Sequence, residues 1–141
     1  MPKRIVDIVL PWPDPRLGIN RRRSLHWAIV AKLIARAKSE SFYLTRQEVG
    51  RIRAEEWPNG EYQKRVLLQW TFCPPNLRRR DEDNLISMLK PYQDGIAMAV
   101  GVDDSHFHLL ELRHGERVKG GRIIATLTWF ENGDVAETNR K

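Results

Sequence analysis

Cysteine is almost missing from this chain of 141 residues: Cys73 stands alone, so no internal disulfide can form. A single thiol says little about redox compartment beyond fitting a reducing cytosol. No apolar run approaches the roughly 20 residues that span a bilayer. The apolar stretch Ile5 to Leu10 follows a basic N-terminus, but it is shorter than a signal-peptide core and stops at Pro11. There is no Gly-rich phosphate loop, no Ser-His-Asp set and no CxxC pair. The four histidines (His26, His106, His108, His114) do not stand at ligand spacing with a cysteine, which leaves no zinc pattern. They read as surface or packing residues, with a phosphate contact as the lesser alternative. These absences lead us to expect one soluble, cytoplasmic domain over residues 1–141, large enough to bury a core without staples.

The chain does have charge. Its net charge is +6 and its isoelectric point is near 9.8, so a polyanion is the expected partner. An apolar fraction of 41% with five tryptophans argues against disorder. Arg4 to Leu10 reads as a strand closed by Pro11 and Pro13. Residues 11–23, with Arg16, Arg21, Arg22 and Arg23, read as an exposed basic loop. Ser24 is a plausible N-cap for a helix reaching about Leu44, whose apolar face would hold Leu25, Ile29, Val30, Leu33, Ile34 and Ala37. The stretch Thr45 to Tyr62 is mixed, with a turn at Trp57-Pro58-Asn59-Gly60.

Arg65 to Phe72 reads as a second strand, stopped by Pro74-Pro75. A second helix should begin near Asp81, carrying Leu85, Met88, Leu89, Tyr92, Ile96 and Ala99 at three-four spacing. Pro91 should kink or break it close to Lys90. Gly101 to Asp104 reads as a turn, and Phe107 to Leu112 and Arg122 to Phe130 as strands joined across Lys119-Gly120-Gly121. The polar tail at about 131–141 is expected to fray. The order β-α-β-α-β-β predicts an α+β domain, with a mixed β-sheet and helices packed on it.

Two acidic clusters carry the chemistry. Asp81-Glu82-Asp83 follows Arg78-Arg79-Arg80, and Asp103-Asp104 comes about twenty residues later. Carboxylates this close repel one another unless a cation lies between them. Hard oxygen ligands without sulfur or imidazole suit Mg²⁺ or Mn²⁺. Asp81 and Asp83 could converge at a helix start, where the dipole favours ionised carboxylates. The plainer alternative is that Asp81 caps the helix and Asp83 complements its dipole. Two acidic pairs flanking one helix fit a shared site better.

Lys90, seven positions after Asp83, projects from roughly the same helix face and could orient water or stabilise phosphate charge. It could equally pair with Asp94, four residues on. The arginine runs 21–23 and 78–80, with Arg113, Arg117, Lys119 and Arg122, could neutralise phosphates, or simply be solvated. Trp12 could stack on a base, although anchoring the proline-rich loop to the core is the commoner role.

With these residues laid out, the chain resembles the RusA family of Holliday-junction resolvases, of phage or prophage type. The likeness runs through Leu10-Pro11-Trp12-Pro13 and the block Arg78-Arg79-Arg80-Asp81-x-Asp83-Asn84-Leu85. It continues through Lys90-Pro91-x-x-Asp94-Gly95-Ile96, Asp103-Asp104 and Lys119-Gly120-Gly121-Arg122. The resemblance implies magnesium bound by Asp81, Asp83 and Asp104, with Asp103 as the alternative to Asp104. It implies a homodimer making symmetric paired nicks in four-way junction DNA during recombination and repair, each leaving a 5′-phosphate and a 3′-hydroxyl. Arg16, Arg21, Arg22, Arg23, Arg78, Arg79, Arg80, Lys119 and Arg122 would hold the DNA. The family lysine, four residues after the second aspartate, falls here on Ser87, and a short insertion would move the amine to Lys90. A non-catalytic basic DNA-binding protein and a nuclease acting on flaps or other branched substrates are the alternatives.

Overall fold

The computed structural model describes residues 2–50, 66–101, 107–109 and 112–130, with the backbone alone at 2–4, 107–109 and 129–130. Strand β1 (Pro2–Pro11) leads through a 3-10 turn (Pro15–Leu17) and a short helix α1 (Ile19–Arg22) to α2 (Trp27–Val49). Then come β2 (Val66–Cys73), α3 (Glu82–Val100), β3 (Phe107–Leu109), β4 (Arg113–His114) and β5 (Arg122–Phe130). The domain is α+β, as expected. Its sheet is mixed: β5 lies antiparallel between β1 and β2, while β3 and β4 run parallel to β2 along its other edge.

Alternation sets the sheet's inner face. Ile8, Leu10, Val66, Leu68, Trp70, Phe72, Ile123, Ala125 and Leu127 are all buried in one core with Leu85, Met88, Leu89, Tyr92 and Ile96 of α3. Burial of that size is the main favourable contribution to folding. The helices α2 and α3 meet closely because small residues line their crossing. Ala37, Ser41 and Thr45 of α2 are buried, and a Cβ at Gly95 of α3 would run into the Ser41 hydroxyl and the Lys38 carbonyl.

Several expectations need correction. The first long helix starts at Trp27, capped by His26, whose Nδ1 accepts the Ala28 amide at 3.1 Å. Ser24 instead closes α1, its hydroxyl donating to the Arg21 carbonyl. The helix also runs on past Leu44 to Val49, since its buried row of residues four apart continues through Ser41 and Thr45, polar side chains that a hydrophobic pattern passes over. Ile29 is exposed rather than on the core face.

The basic stretch 11–23 is no plain loop. It is folded by Asp14, which caps the 3-10 turn, and it buries Leu17. Pro91 does not break α3, which continues to Val100. A lost hydrogen bond there is outweighed by the core contacts on both sides of it. Of the expected strand Phe107 to Leu112, Phe107–Leu109 forms β3 and Leu112 is in no strand, residues 110–111 lying outside the described ones; the short β4 follows at Arg113–His114 on the same edge. The turn at Trp57 to Gly60 and the tail lie outside the described residues.

Candidate functional site

At the end of the sheet where β2 finishes, Cys73 pairs with Arg122 and Arg122 with Pro11. The chain leaving β2 then passes Pro74-Pro75 and the arginines 78–80 before entering α3. The residues 115–121 close over the same end: the Gly115 amide donates to the Phe72 carbonyl and the Val118 amide to the Pro74 carbonyl. Gly120 and Gly121 turn at positive φ (78° and 72°), and a Cβ on Gly121 would meet Pro75 and Trp12. Register and turn together bring Arg78, Arg79, Arg80, Lys119 and Arg122 to one end of the domain.

Asp81 is the N-cap of α3: its Oδ1 accepts the Asp83 amide at 3.0 Å. This is the plainer of its two expected roles, and it uses one oxygen only. Oδ2 of Asp81 and the carboxylate of Asp83 have no hydrogen-bond or ion-pair partner among the described residues, and both side chains are exposed. The helix terminus sets partial positive charge beside them. The pair therefore suits a hard divalent cation by chemistry, and it needs further ligands from elsewhere.

Asp103 and Asp104 lie outside the described residues, as do His106 and the side chain of His108. Gly101, which ends α3 in the left-handed conformation at φ 72°, is at the far end of that helix from Asp81. Phe107, which resumes the chain, pairs with Val66 at the start of β2, again at the end remote from Asp81.

The arginines divide by task. Arg80 folds back: its Nη1 donates to the carbonyls of Asn76 (3.1 Å) and Arg78 (2.9 Å), and its Nη2 to Asn76 Oδ1 (2.9 Å). Its guanidinium lies 5.2 Å from the centroid of the Trp12 ring. Burial, followed by the nearby Arg78 charge, lowers its pKa. Arg80 thus braces the loop. Trp12, half-buried and edge-on to Phe72 at 6.2 Å, anchors the proline-rich segment to the core, the commoner of its two expected roles. Arg78 and Arg79 remain exposed. They line, with Asp81, Asn84, Leu85 and Met88, a cleft of about 420 Å³.

Arg16 is paired with Asp14 (Nη2 to Oδ2, 2.8 Å), and this contact holds the Asp14 carboxyl below its usual range. Arg21 and Arg23 are exposed and Arg22 is half-buried.

The arginines at 21–23 are held beside α3 by two side chains, Asn84 and Ser87, to which the sequence reading gave no such role. The Ile19 amide donates to Ser87 Oγ (3.1 Å) and the Asn20 amide to Asn84 Oδ1 (3.3 Å). Ser87 in turn donates to the Asn84 carbonyl at 2.7 Å. The first amides of α1, which a helix cannot satisfy internally, are thereby capped by the first two turns of α3. A Cβ on Gly18 would strike the Asn84 amide group, which would have to shift from its place beside Asn20. Ser87, where the family lysine was expected, is a docking residue.

Lys90 forms an ion pair with Asp94 at 3.1 Å. It stands about 10 Å along the helix axis from Asp83. Trp27 is 75% exposed just after the Arg21–Arg23 run, an aromatic surface that nothing in the sequence distinguishes from a core tryptophan.

Among the described residues, no helix is long and apolar enough to cross a membrane. No family model matches the chain. It is 30% identical over 128 residues to a protein of Xylella fastidiosa (strain Temecula1 / ATCC 700964) described only as uncharacterized, spanning 89% of this chain and 78% of that protein. At that identity and coverage the chain belongs to the same family as the Xylella fastidiosa protein.

Proposed function

We propose that this protein is a Mg²⁺-dependent endodeoxyribonuclease selective for branched DNA, of the RusA type, acting on four-way junctions. One observation carries the reading. Asp81 Oδ2 and the Asp83 carboxylate, unpartnered among the described residues, are flanked at the start of α3 by exposed arginines from two separate segments, one of them pinned to α3 through Asn84 and Ser87. Such a cluster draws in a phosphodiester and a divalent ion together.

Asp81 Oδ2 and the Asp83 carboxylate would hold Mg²⁺, or Mn²⁺ in its place. The ion would supply Lewis-acid neutralisation of the charge that builds on the phosphate being cut. Arg78 and Arg79 would bind the phosphate oxygens in their cleft. Arg21, Arg22 and Arg23 on one side, with Lys119 and Arg122 on the other, would hold the flanking strands. Lys90, about 10 Å along the helix from Asp83, would have to leave its ion pair with Asp94 to reach the phosphate.

The third ligand that the resemblance implies, Asp104, lies outside the described residues, and a second copy of the chain could supply it. The 19 residues of α3 span about 28 Å. Asp104 is three residues beyond Gly101, and three residues of chain reach at most about 11 Å. That reach favours a site completed by a second copy over the single-chain pocket expected from the sequence. Two chains related by a twofold axis can form two equivalent sites, matched to the paired phosphodiesters of a junction.

The competing reading is a DNA-binding protein in which Asp81 only caps a helix, and it draws support from the observed cap. Incubating the protein with a synthetic four-way junction, a flap and a linear duplex, each with and without Mg²⁺, separates the two. Paired symmetric nicks confined to the junction and dependent on the metal are expected. Binding without scission under any divalent ion would leave the capping reading in possession.

A further inference from the structure

We propose that a second cleft, beside the carboxylate site, receives one unpaired nucleobase of the DNA strand held at Arg78. The inference deepens the functional reading above and rests on it.

Two clefts of about 420 Å³ open at this end of the domain, with Trp12, Asn76, Arg78, Arg80 and Leu85 as a common wall. Their remaining linings differ in chemistry. The first holds Arg79, Asp81 and Asn84. The second holds Leu77, Glu82 and His114. The acidic triplet at the start of α3 is therefore divided, with Asp81 in one cleft and Glu82 in the other. Glu82 is also the open position of the Asp81-x-Asp83 block, so metal binding leaves it without a task.

Leu77 is 80% exposed, more than any other large apolar side chain among the described residues. Its backbone is held on both sides. The Arg80 guanidinium donates to the carbonyls of Asn76 and Arg78, and Asn76 Oδ1 accepts the Arg78 amide at 3.0 Å. A single exposed leucine is ordinary. One braced on both sides at the wall of a cleft can pack on a ligand with little further ordering cost.

His114 lines the same cleft. Strand pairing sets it opposite Phe72, and the buried Phe72 ring backs it at 6.1 Å with a tilt of 33°. The imidazole itself is exposed. The cleft thus offers a supported flat ring, a fixed aliphatic side chain and the Glu82 carboxylate, which has no hydrogen-bond or ion-pair partner among the described residues.

A ring with an apolar neighbour stacks on a base of any type. The carboxylate narrows the ligand further, since it repels a phosphate and accepts hydrogen bonds from the N–H groups of a base edge. Arg78 borders both clefts and supplies the cation for the phosphate of the same nucleotide. One nucleotide is then divided between them, with its phosphate toward the first cleft and its base in the second. A base within a duplex cannot enter without leaving the stack, and an unpaired base does so most easily. The cleft therefore helps to tell a branch point from plain duplex.

The test uses the full-length protein without divalent ion, so that binding is read apart from cleavage. Four-way junctions carry an abasic nucleotide in turn at each position flanking the branch point, and fluorescence anisotropy gives the affinities. The wild type should lose about tenfold in affinity at one of these positions, as expected for one stacked base. A double variant, Leu77→Ser with His114→Ser, changes two exposed side chains, and circular dichroism confirms its fold. It should bind the intact junction about tenfold more weakly and be indifferent to every abasic position. A wild type that tolerates all the abasic positions overturns the proposal, as does a double variant as sensitive as the wild type. A double variant that binds weakly while the wild type ignores base loss would assign the cleft to the sugar-phosphate chain, which also overturns it. Cleavage with Mg²⁺ is scored separately. A protein that shows the abasic effect but cuts no branched DNA would remove the nuclease reading and leave this cleft standing. One that cuts junctions without the abasic effect would do the reverse, and no binding to branched DNA would end both.

Discussion

Ser87 Oγ accepts the backbone amide of Ile19 across 3.1 Å, joining residues 68 positions apart. This contact ties a four-residue helix, too short to persist unaided, to the helix that carries Asp81 and Asp83. The position of Arg21, Arg22 and Arg23 relative to the carboxylates depends on it and on the neighbouring Asn84 contact.

Ser87→Ala should therefore weaken junction binding several-fold without altering metal requirement. The hydroxyl is half-buried and holds two bonds, so its loss should lower stability by about 1 kcal/mol. Gel-shift titration and thermal melting measure the two effects. Unchanged affinity would mean that α1 is not part of the DNA surface.

Asp81→Asn separates capping from catalysis. Asparagine caps helices as well as aspartate does, so the melting temperature should hardly move. Cleavage should fall by about 100-fold or more as the charged ligand is lost, with junction binding kept or tightened. Asp83→Asn should behave alike. Normal cleavage rates in both variants would remove these residues from the reaction.

Arg80→Lys should fail to restore what Arg80→Ala loses. The guanidinium reaches two carbonyls and Asn76 Oδ1 while lying over Trp12, a fan of donors that an ammonium cannot reproduce. Both variants should lower stability by about 1–3 kcal/mol, read from denaturant midpoints. Full stability of Arg80→Lys would show that charge alone suffices at this position.

Gly95→Ala tests the helix crossing. The added methyl meets the Ser41 hydroxyl and the Lys38 carbonyl, and backbone cannot rotate away, so a loss of about 1–3 kcal/mol is expected. Ser41→Gly in the same chain removes only one of the two obstacles and should recover part of that loss. A variant as stable as the wild type would show that α2 and α3 pack less closely than described.

The elements legible from the sequence were those with a strong local period. Strand β5 was read with both its ends, since Ile123, Ala125 and Leu127 alternate between a glycine pair and a polar tail. The start of α3 was legible from Asp81, and its core face from Leu85 through Ile96. Other elements went unread because their signals were polar or distant. The row Ser41, Thr45 on α2 is polar yet buried, Ser41 against a glycine on another helix. His26 caps by its ring nitrogen, where Ser24 offered a commoner residue type. The pieces β3 and β4 are too short to show a period.

The candidate site divides in the same way. Residue type and spacing named the carboxylates and the arginine runs, because charge repulsion and ligand hardness are properties of the side chains themselves. Which arginines face solvent, and which one is folded onto Trp12, depended on neighbours from other segments. So did the separation of Asp81 from Gly101. Composition and local period settle which chemistry a chain carries, since they act through nearby atoms. Only the packing of α3, unbroken through Pro91 and about 28 Å long, decided that Asp81 and Gly101 stand at opposite ends of one helix, since that distance is set by a helix held together by the core.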